Sequence, residues 1–253
     1  MKNKFIKILC FLVLGVSLVQ CSNKSLNQQN NTQIVTPSTT NNSASTGTLI
    51  DASEVSSSKY QSIVPIISKS NDIFNGTGVI IGPNTLLTNR HVTEGETKDT
   101  LYVSLNKGNE TINFDIENII TFIQENYDYN QTNVDLSIIQ VKPKDGKNLY
   151  DGLETFKLAT LDEIKKVENK TQIEFAGYPG ESQPKLSYDK GQIDLIESNL
   201  IWFNSSVKPG QSGSPILNSN NEIIGLCNAG SEKDGVGFLF TQVVLDFINN
   251  NIK

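Results

Sequence analysis

Short apolar segments that alternate with polar residues dominate the chain from Tyr60 to its end. The alternation is clearest in Leu101-Tyr102-Val103-Ser104-Leu105 and in Ile112-Asn113-Phe114-Asp115-Ile116. A period of two residues predicts strands that bury one face. The predicted strands are bounded by Gly, Asn, Asp or Pro, and they are GTGVIIG, TLLTN, LYVSLN, INFDIENIITFI, VDLSIIQV, QIEFAGYP, GQIDLIES, LIWFNSS, SPILN, EIIGLCNA and VGFLFTQ.

Helical patterns are rare in the same region. The final segment, TQVVLDFINNNIK, brings Val243, Val244, Phe247, Ile248 and Ile252 near one face at helical spacing, which predicts a C-terminal helix. A short helix or turn that carries His91 is also predicted after Asn89. The helices between strands that a parallel α/β sheet needs are missing. The sequence therefore predicts an all-β sandwich or barrel.

The first 21 residues have the pattern of an export signal. The basic start MKNKFIK precedes the apolar run ILCFLVLGVSLV, which is too short to span a bilayer as a stable helix. We therefore predict a signal peptide over residues 1–21. Its end, Leu-Val-Gln-Cys, resembles the lipobox of bacterial lipoproteins, although Gln20 stands where a small residue is usual. A lipid anchor at Cys21 is thus a second prediction. With the signal peptide alone the protein would be extracellular, and with the lipid it would be tethered to the cell surface.

Residues 22–59 are rich in Asn, Ser, Thr and Gln, and the stretch 22–58 contains no aromatic residue. Such a segment buries too little apolar surface to offset its ordering entropy. We predict a disordered linker or a propeptide here, and the pattern leaves both alternatives open. The remaining residues, 60–253, are enough for one domain with a sizeable core.

Charge and cysteine content narrow the class of protein. The chain has 27 acidic and 21 basic residues, a net charge of −6, and no block of Lys or Arg outside the signal. This composition argues against binding to nucleic acid or to an anionic membrane surface. Of the three cysteines, Cys227 alone belongs to the predicted domain, so no disulfide can form within it.

Three residues in the domain have the chemistry of a nucleophilic hydrolase. His91, the one histidine of the chain, follows the strand TLLTN; Asp135 heads the apolar strand VDLSIIQV; and Ser212 lies between two glycines in KPGQSGSPIL. A serine hydroxyl is a weak nucleophile and needs an adjacent base, for which an imidazole is suited. A carboxylate orients that imidazole. The N–H groups of Gly210 and Ser212 would then bind the developing oxyanion.

The segments TLLTNRHV, VDLSIIQV, GYPGESQPKLSYDKGQI and GQSGSPILNSNNEIIGL resemble those of chymotrypsin-like serine proteases, in the branch of glutamyl endopeptidases and exfoliative toxins. The resemblance implies an all-β fold of two six-stranded antiparallel β-barrels with a C-terminal helix. The barrels would cover about residues 60–147 and 148–253. It also implies a catalytic triad of His91, Asp135 and Ser212 in the cleft between them.

The chain departs from that branch at its specificity positions. Where glutamyl endopeptidases carry a threonine and a histidine that bind the substrate carboxylate, this sequence has Val207 and Cys227. An apolar wall would leave a buried carboxylate unpaired. We therefore expect Val207, Cys227 and Asn228 to form a substrate pocket for an uncharged side chain. Pro209, next to Gly210, is a second departure from that branch. Its ring could stiffen or distort the oxyanion loop.

These observations predict an exported serine endopeptidase that hydrolyses peptide bonds through an acyl-enzyme. We expect it to need no metal or cofactor, to act on protein or peptide substrates as a monomer, and to contact a membrane only through an anchor at Cys21. The alternative is a surface binding protein on a protease fold that has lost its activity.

Overall fold

The computed structural model describes residues 47–123, 134–180 and 185–253. The predicted signal peptide with Cys21 and residues 22–46 of the predicted linker lie outside the described residues. The elements, numbered in chain order, are β1 (Thr48–Ile50), α1 (Ala52–Val55), β2 (Ile63–Ser68), β3 (Phe74–Gly82), β4 (Thr85–Thr88), α2 (Arg90–Thr93), β5 (Leu101–Lys107), β6 (Glu110–Thr121), β7 (Ser137–Val141), β8 (Lys157–Leu158), α3 (Leu161–Ile164), β9 (Gln172–Gly177), β10 (Leu186–Glu197), β11 (Leu200–Phe203), β12 (Pro215–Leu217), β13 (Glu222–Gly230), β14 (Gly235–Leu239) and α4 (Gln242–Asn251).

Six antiparallel strands form the first barrel, which closes in the order β2-β3-β4-β7-β6-β5. The predicted alternation is visible in β6, where Phe114 and Ile116 are buried while Asn113 and Asp115 are exposed. The buried side chains of alternate positions meet in a core that includes Val64, Ile66, Ile80, Leu86, Val103, Phe114 and Ile139.

The second barrel also has six antiparallel strands, in the order β9-β10-β11-β14-β13-β12, and it closes because β12 pairs with β9. Two short strands are added outside this ring: β1 pairs with β10, and β8 lies parallel to β13. The structure thus confirms the two six-stranded antiparallel barrels that the resemblance implied.

The same strands supply both a barrel core and the interface between the barrels. In β3 and β4, Ile80 and Leu86 belong to the core of the first barrel, whereas their neighbours Val79 and Leu87 belong to the cluster that contains the second barrel's core. Successive side chains of a strand point to opposite faces, so adjacent residues can serve two cores. The site between the barrels therefore rests on continuous apolar packing.

The predicted C-terminal helix is confirmed as α4. The Thr241 hydroxyl accepts a hydrogen bond from the Val244 N–H and caps the helix. The helix buries Val244, Leu245 and Ile248, whereas Val243 is 48% exposed, so the buried face is rotated from the predicted one. After the helix, the chain contacts the first barrel, where the Lys253 N–H donates to the Thr85 hydroxyl at 2.9 Å.

The folded part begins before Tyr60, the start that the sequence predicted. Val55, on α1, is only 1% exposed, and the Tyr60 ring stacks on Tyr188 of β10 with 5.1 Å between ring centroids. The Tyr60 hydroxyl donates to the Glu174 carboxylate at 2.8 Å. Residues 48–59 are therefore corrected from linker to part of the domain. The sequence did not predict this because the segment has few apolar residues. It contacts the domain through the pairing of β1 with β10 and through single buried side chains such as Val55.

Candidate active site

His91 and Asp135 lie where two neighbouring strands of the first barrel end. In the antiparallel pair β4 and β7, Thr88 at the end of β4 is opposite Ser137 at the start of β7. His91 follows this end of β4 on α2, and Asp135 precedes this end of β7, so the register brings them together. His91 Nδ1 and Asp135 Oδ2 are 2.5 Å apart, and the His91 main-chain N–H donates to Oδ1 at 3.0 Å. The structure thus joins these two predicted residues directly.

Two opposing effects act on the Asp135 carboxyl. Burial raises its pKa, whereas the hydrogen bonds and the charge of His91 lower it, with a smaller contribution from the charge of Arg90; the net pKa lies below the ordinary value. The group is therefore ionised at neutral pH and can only accept hydrogen bonds. In the neutral ring, Nδ1 of His91 then carries the proton and Nε2 keeps its lone pair.

Ser212 lies in a tight turn that precedes β12. Gly210 and Gly213 on either side have φ of 92° and 87°, a region that favours glycine. A Cβ at Gly213 would lie 2.1 Å from the main-chain oxygen of Thr77 on β3, so no larger residue fits there. The Thr77 N–H donates to the Ser212 carbonyl at 2.8 Å. The turn that carries the serine is thus fixed against the first barrel, although it belongs to the second.

The Ser212 hydroxyl donates to the main-chain carbonyl of Asn228 on β13, at 3.0 Å. Among the residues that the structure describes, no hydrogen bond joins Ser212 Oγ to the His91 ring. Asn89 connects the His91–Asp135 pair to the neighbourhood of Ser212. Its Nδ2 donates to the Asp135 carbonyl at 2.9 Å and to Asn228 Oδ1 at 3.0 Å. The three predicted residues therefore meet at one junction of the barrels, with the serine hydroxyl turned toward Asn228.

Main-chain hydrogen bonds next to Ser212 leave two N–H groups of the turn without an acceptor in the described part of the chain. The Pro209 carbonyl accepts from the Gly180 N–H at 2.7 Å, and the Gly210 carbonyl accepts from the Thr77 hydroxyl at 2.8 Å. Within the described ranges, the N–H groups of Gly210 and Ser212 have no protein acceptor. In a distorted loop, the Pro209 carbonyl would accept from one of these two N–H groups. It instead accepts from the Gly180 N–H, so the loop is not distorted in this way.

A cavity of about 440 Å³ opens beside this turn. Val207 lies in its wall and is 5% exposed. The other residues that line the cavity come from three segments of the chain, and they are Pro179, Gly180, Ser206, Lys208, Pro209, Gly230, Ser231 and Glu232. Its wall is mainly uncharged, with the charges of Lys208 and Glu232 at exposed positions.

Cys227 and Asn228 are not among the residues that line this cavity. The Cys227 side chain is fully buried in the core of the second barrel, and burial raises the pKa of its thiol to about 12. Its predicted place in the pocket is therefore corrected, because this side chain of β13 faces the core. Asn228 instead lies next to Ser212 and holds Asn89 through its side-chain oxygen.

No helix within residues 47–123, 134–180 and 185–253 has the length and apolar character needed to cross a membrane. In the same ranges, no three His, Cys, Asp or Glu side chains come together in a way that could hold a metal ion. The predictions on cofactors and on a lipid anchor stay predictions.

Comparisons with known proteins agree with this architecture. A family model for the trypsin-like peptidase domain matches residues 76–226, a range that contains His91, Asp135 and Ser212. The solved structure of a Glu endopeptidase in complex with MPD is similar, with a TM-score of 0.60 and 22% sequence identity. The similarity covers 76% of this chain and 90% of that chain, and at this identity it shows a shared fold.

Proposed function

From the premise that this chain belongs to the trypsin-like peptidase family and is a serine endopeptidase, we propose that His91, Asp135 and Ser212 are its catalytic triad. The observation that carries the proposal is the 2.5 Å contact between His91 Nδ1 and Asp135 Oδ2, next to the turn of Ser212. An ionised carboxylate at this position fixes the tautomer that leaves Nε2 free to accept a proton.

The reaction begins when the Ser212 hydroxyl leaves the Asn228 carbonyl and turns toward His91 Nε2. His91 takes the hydroxyl proton while Oγ attacks the carbonyl carbon of the scissile peptide bond. Asp135 stabilises the imidazolium that forms. His91 then gives its proton to the leaving amine, and an acyl-enzyme remains on Ser212. Water, activated by the same imidazole, hydrolyses that ester.

The Gly210 and Ser212 N–H groups bind the negative charge of each tetrahedral intermediate. Their lack of protein acceptors within the described ranges supports this role, since a donor already in use could not stabilise the anion. Each donor of this kind is worth about 10²–10³ in turnover.

Labelling of the full-length protein with a fluorophosphonate probe tests the triad. We expect Ser212 to be labelled in the wild type, and labelling to be lost in Ser212→Ala and strongly reduced in His91→Ala. Ser214→Ala is the matched control, because the buried Ser214 hydroxyl has no hydrogen-bond partner in the described part of the chain. Equal labelling of the wild type and Ser212→Ala would remove Ser212 from the mechanism. A wild type that binds a protein tightly but does not react would favour the inactive binding protein.

We further propose that the side chain bound next to the scissile bond is uncharged. Val207 in the cavity wall supports this, because its side chain offers a carboxylate no donor, and an unpaired buried polar group costs roughly 2–7 kcal/mol, a charge more. Cleavage of a peptide library by the wild type should show preference for uncharged residues at this position. Preference for Glu or Asp would contradict the proposal.

The proposal of export rests on the sequence of residues 1–21. We propose that the signal peptide directs the protein out of the cell, where it acts on proteins or peptides as a monomer, either secreted or held by a lipid at Cys21. Mass spectrometry and N-terminal sequencing of the native protein distinguish these alternatives. A diacylglycerol on Cys21 supports the anchor, whereas a first residue after position 22 shows that the segment that begins at position 22 is at least partly removed.

A further inference from the structure

We propose that Asn89 is a positioning residue of the active site, which couples the Asp135–His91 pair of the first barrel to Asn228 and Ser212 of the second. This inference rests on the proposed catalytic triad. Its basis is one buried amide group whose two N–H bonds reach acceptors in different barrels.

The Asn89 side chain does not have the local role that its position would suggest. Asn89 is the N-cap residue of α2, with φ −75° and ψ 152°, and asparagine is a favoured N-cap because its side-chain oxygen accepts from the first turn. Here the side chain makes no cap hydrogen bond. It is completely buried, and its Oδ1 has no partner in the described part of the chain. An unpaired buried oxygen is unfavourable, so stability of the helix does not account for this arrangement.

The orientation of the amide follows from its neighbours. The Asp135 main-chain oxygen can only accept, so the group that faces it at 2.9 Å must be Nδ2. The second hydrogen of the same nitrogen points to Asn228 Oδ1 at 3.0 Å. A rotated amide would bring its oxygen against the Asp135 carbonyl. Both donors of Asn89 are therefore used, and each one holds a different barrel.

The two residues that Asn89 holds are the ones that set the geometry of the reaction. Asp135 carries the carboxylate that binds His91 through both its oxygens. Asn228 carries the carbonyl that holds the Ser212 hydroxyl. The Asn89 main chain also lies against the turn of the nucleophile, where a Cβ at Gly213 would be 3.2 Å from the Asn89 nitrogen. Asn89 therefore sets the separation between the base and the nucleophile without touching the substrate.

Kinetics of Asn89→Ala in the full-length protein test this role, with active sites counted by fluorophosphonate titration so that unfolded molecules do not contribute. A displacement of about 1 Å between reacting groups costs about 100-fold in rate. We expect kcat on a fluorogenic peptide, and the rate of fluorophosphonate labelling, to fall by about 10- to 100-fold, with KM within about twofold of the wild type. That split is expected of a residue that aligns reacting groups rather than binding substrate.

Asn84→Ala is the matched control. Asn84 also lies in the first barrel, and its amide bonds to Asn148 Oδ1 at 2.7 Å and to the Leu149 N–H at 3.0 Å, away from the site. Its loss should leave kcat per active site unchanged. Asn89→Ser separates capping from bridging, because serine is as good an N-cap but is too short to reach both acceptors. We expect Asn89→Ser to be as slow as Asn89→Ala.

A double-mutant cycle with Asn228→Ala tests the coupling, since two residues that act through one contact give non-additive losses. The double variant should be no slower than the slower single variant. The proposal is overturned if Asn89→Ala retains wild-type kcat, if Asn89→Ser restores it, or if the two losses multiply. Should Asn89→Ala not fold, Asn89→Ser and Asn228→Ala give the same decision. A wild type without activity overturns both this inference and the triad, whereas an active wild type with unaffected variants overturns this inference alone.

Discussion

At the scale of single residues, Asp135 links stability to pH. Its pKa in the folded protein is lowered because the hydrogen bonds and charge of His91 outweigh burial. The unfolded value is about 3.9. A lowered folded-state pKa means that the ionised carboxylate stabilises the fold above the unfolded value, and that this contribution is lost as the pH falls through the folded-state value. We therefore expect Asp135→Asn to have a lower Tm than the wild type at neutral pH, and the difference to shrink below about pH 4.

Thermal unfolding followed by circular dichroism over this pH range measures the effect, and Asp99→Asn is the control. The Asp99 side chain is 79% exposed, and its contact with Lys98 is a surface ion pair of little worth. A constant difference in Tm between wild type and Asp135→Asn at every pH would show that the carboxylate charge is not involved.

In activity, Asp135→Asn should lose about 10⁴ in kcat, as in the chymotrypsin triad, because the imidazole takes the wrong tautomer.

Single residues also show how far the sequence alone could lead. His91, Asp135 and Ser212 could be predicted because the one histidine, an acid at the head of an apolar strand and a serine beside glycines lie in segments that resemble a known family. Asn89 could not, because its role depends on two acceptors that are distant in sequence and become neighbours only when the barrels meet. Cys227 was placed in the pocket because it stands where glutamyl endopeptidases carry a specificity residue, but that correspondence does not tell which face of β13 its side chain occupies.

At the scale of elements, the segment β1–α1 should stabilise the domain although it precedes the matched family region. Val55 of α1 is 1% exposed, and replacing it with alanine removes two buried carbon atoms, worth about 0.8 kcal/mol each before any cavity is counted. For Val55→Ala we expect a loss of about 2 kcal/mol. At about 2–4 °C per kcal/mol, this lowers the Tm by about 4–8 °C.

Val243→Ala on α4 is the matched control, since Val243 is 48% exposed and surface substitutions usually change stability by less than about 0.5 kcal/mol. Differential scanning calorimetry of the two variants compares them directly. If both have the wild-type Tm, α1 does not pack on the domain. A lower Tm for Val55→Ala would also show that fragments starting at Tyr60 lack part of the folded domain.

The strands that the sequence missed, β1, β2 and β8, show no alternation of apolar and polar residues. All six residues of β2 are buried, because its two faces contact the barrel core and the neighbouring barrel, so the strand has no apolar–polar alternation. Pro65 within it further weakened the pattern. The strands β1 and β8 are three and two residues long, too short to show a period. By contrast, β6 was predicted well because Asn113 and Asp115 on one of its faces are exposed to solvent. The alternation of β5 also predicted a strand, although its polar residues Ser104 and Asn106 are buried.

At the scale of the whole molecule, the reaction depends on how two barrels are held together, and two buried threonines of the first barrel hold different parts of the chain. Thr77 donates its hydroxyl proton to the Gly210 carbonyl and accepts from the Tyr178 N–H at 2.9 Å. Thr85 donates to the Lys253 carbonyl and accepts from the Lys253 N–H at 2.9 Å. The first contact fixes the turn that carries Ser212, and the second fixes the end of the chain after α4.

Replacing each threonine with valine keeps the shape of the side chain and removes its hydroxyl. In both variants a donor and an acceptor lose their partner, which costs about 1–3 kcal/mol for a buried group, so both should have a lower Tm. Only Thr77→Val should also lower kcat per titrated active site, by about tenfold or more, because the Gly210 N–H moves from the position of the oxyanion. Equal kcat values for the two variants would mean that the turn keeps its geometry without Thr77. A loss of kcat in Thr85→Val as large as in Thr77→Val would mean instead that the site responds to any loosening between the barrels, and not to the contact at Gly210.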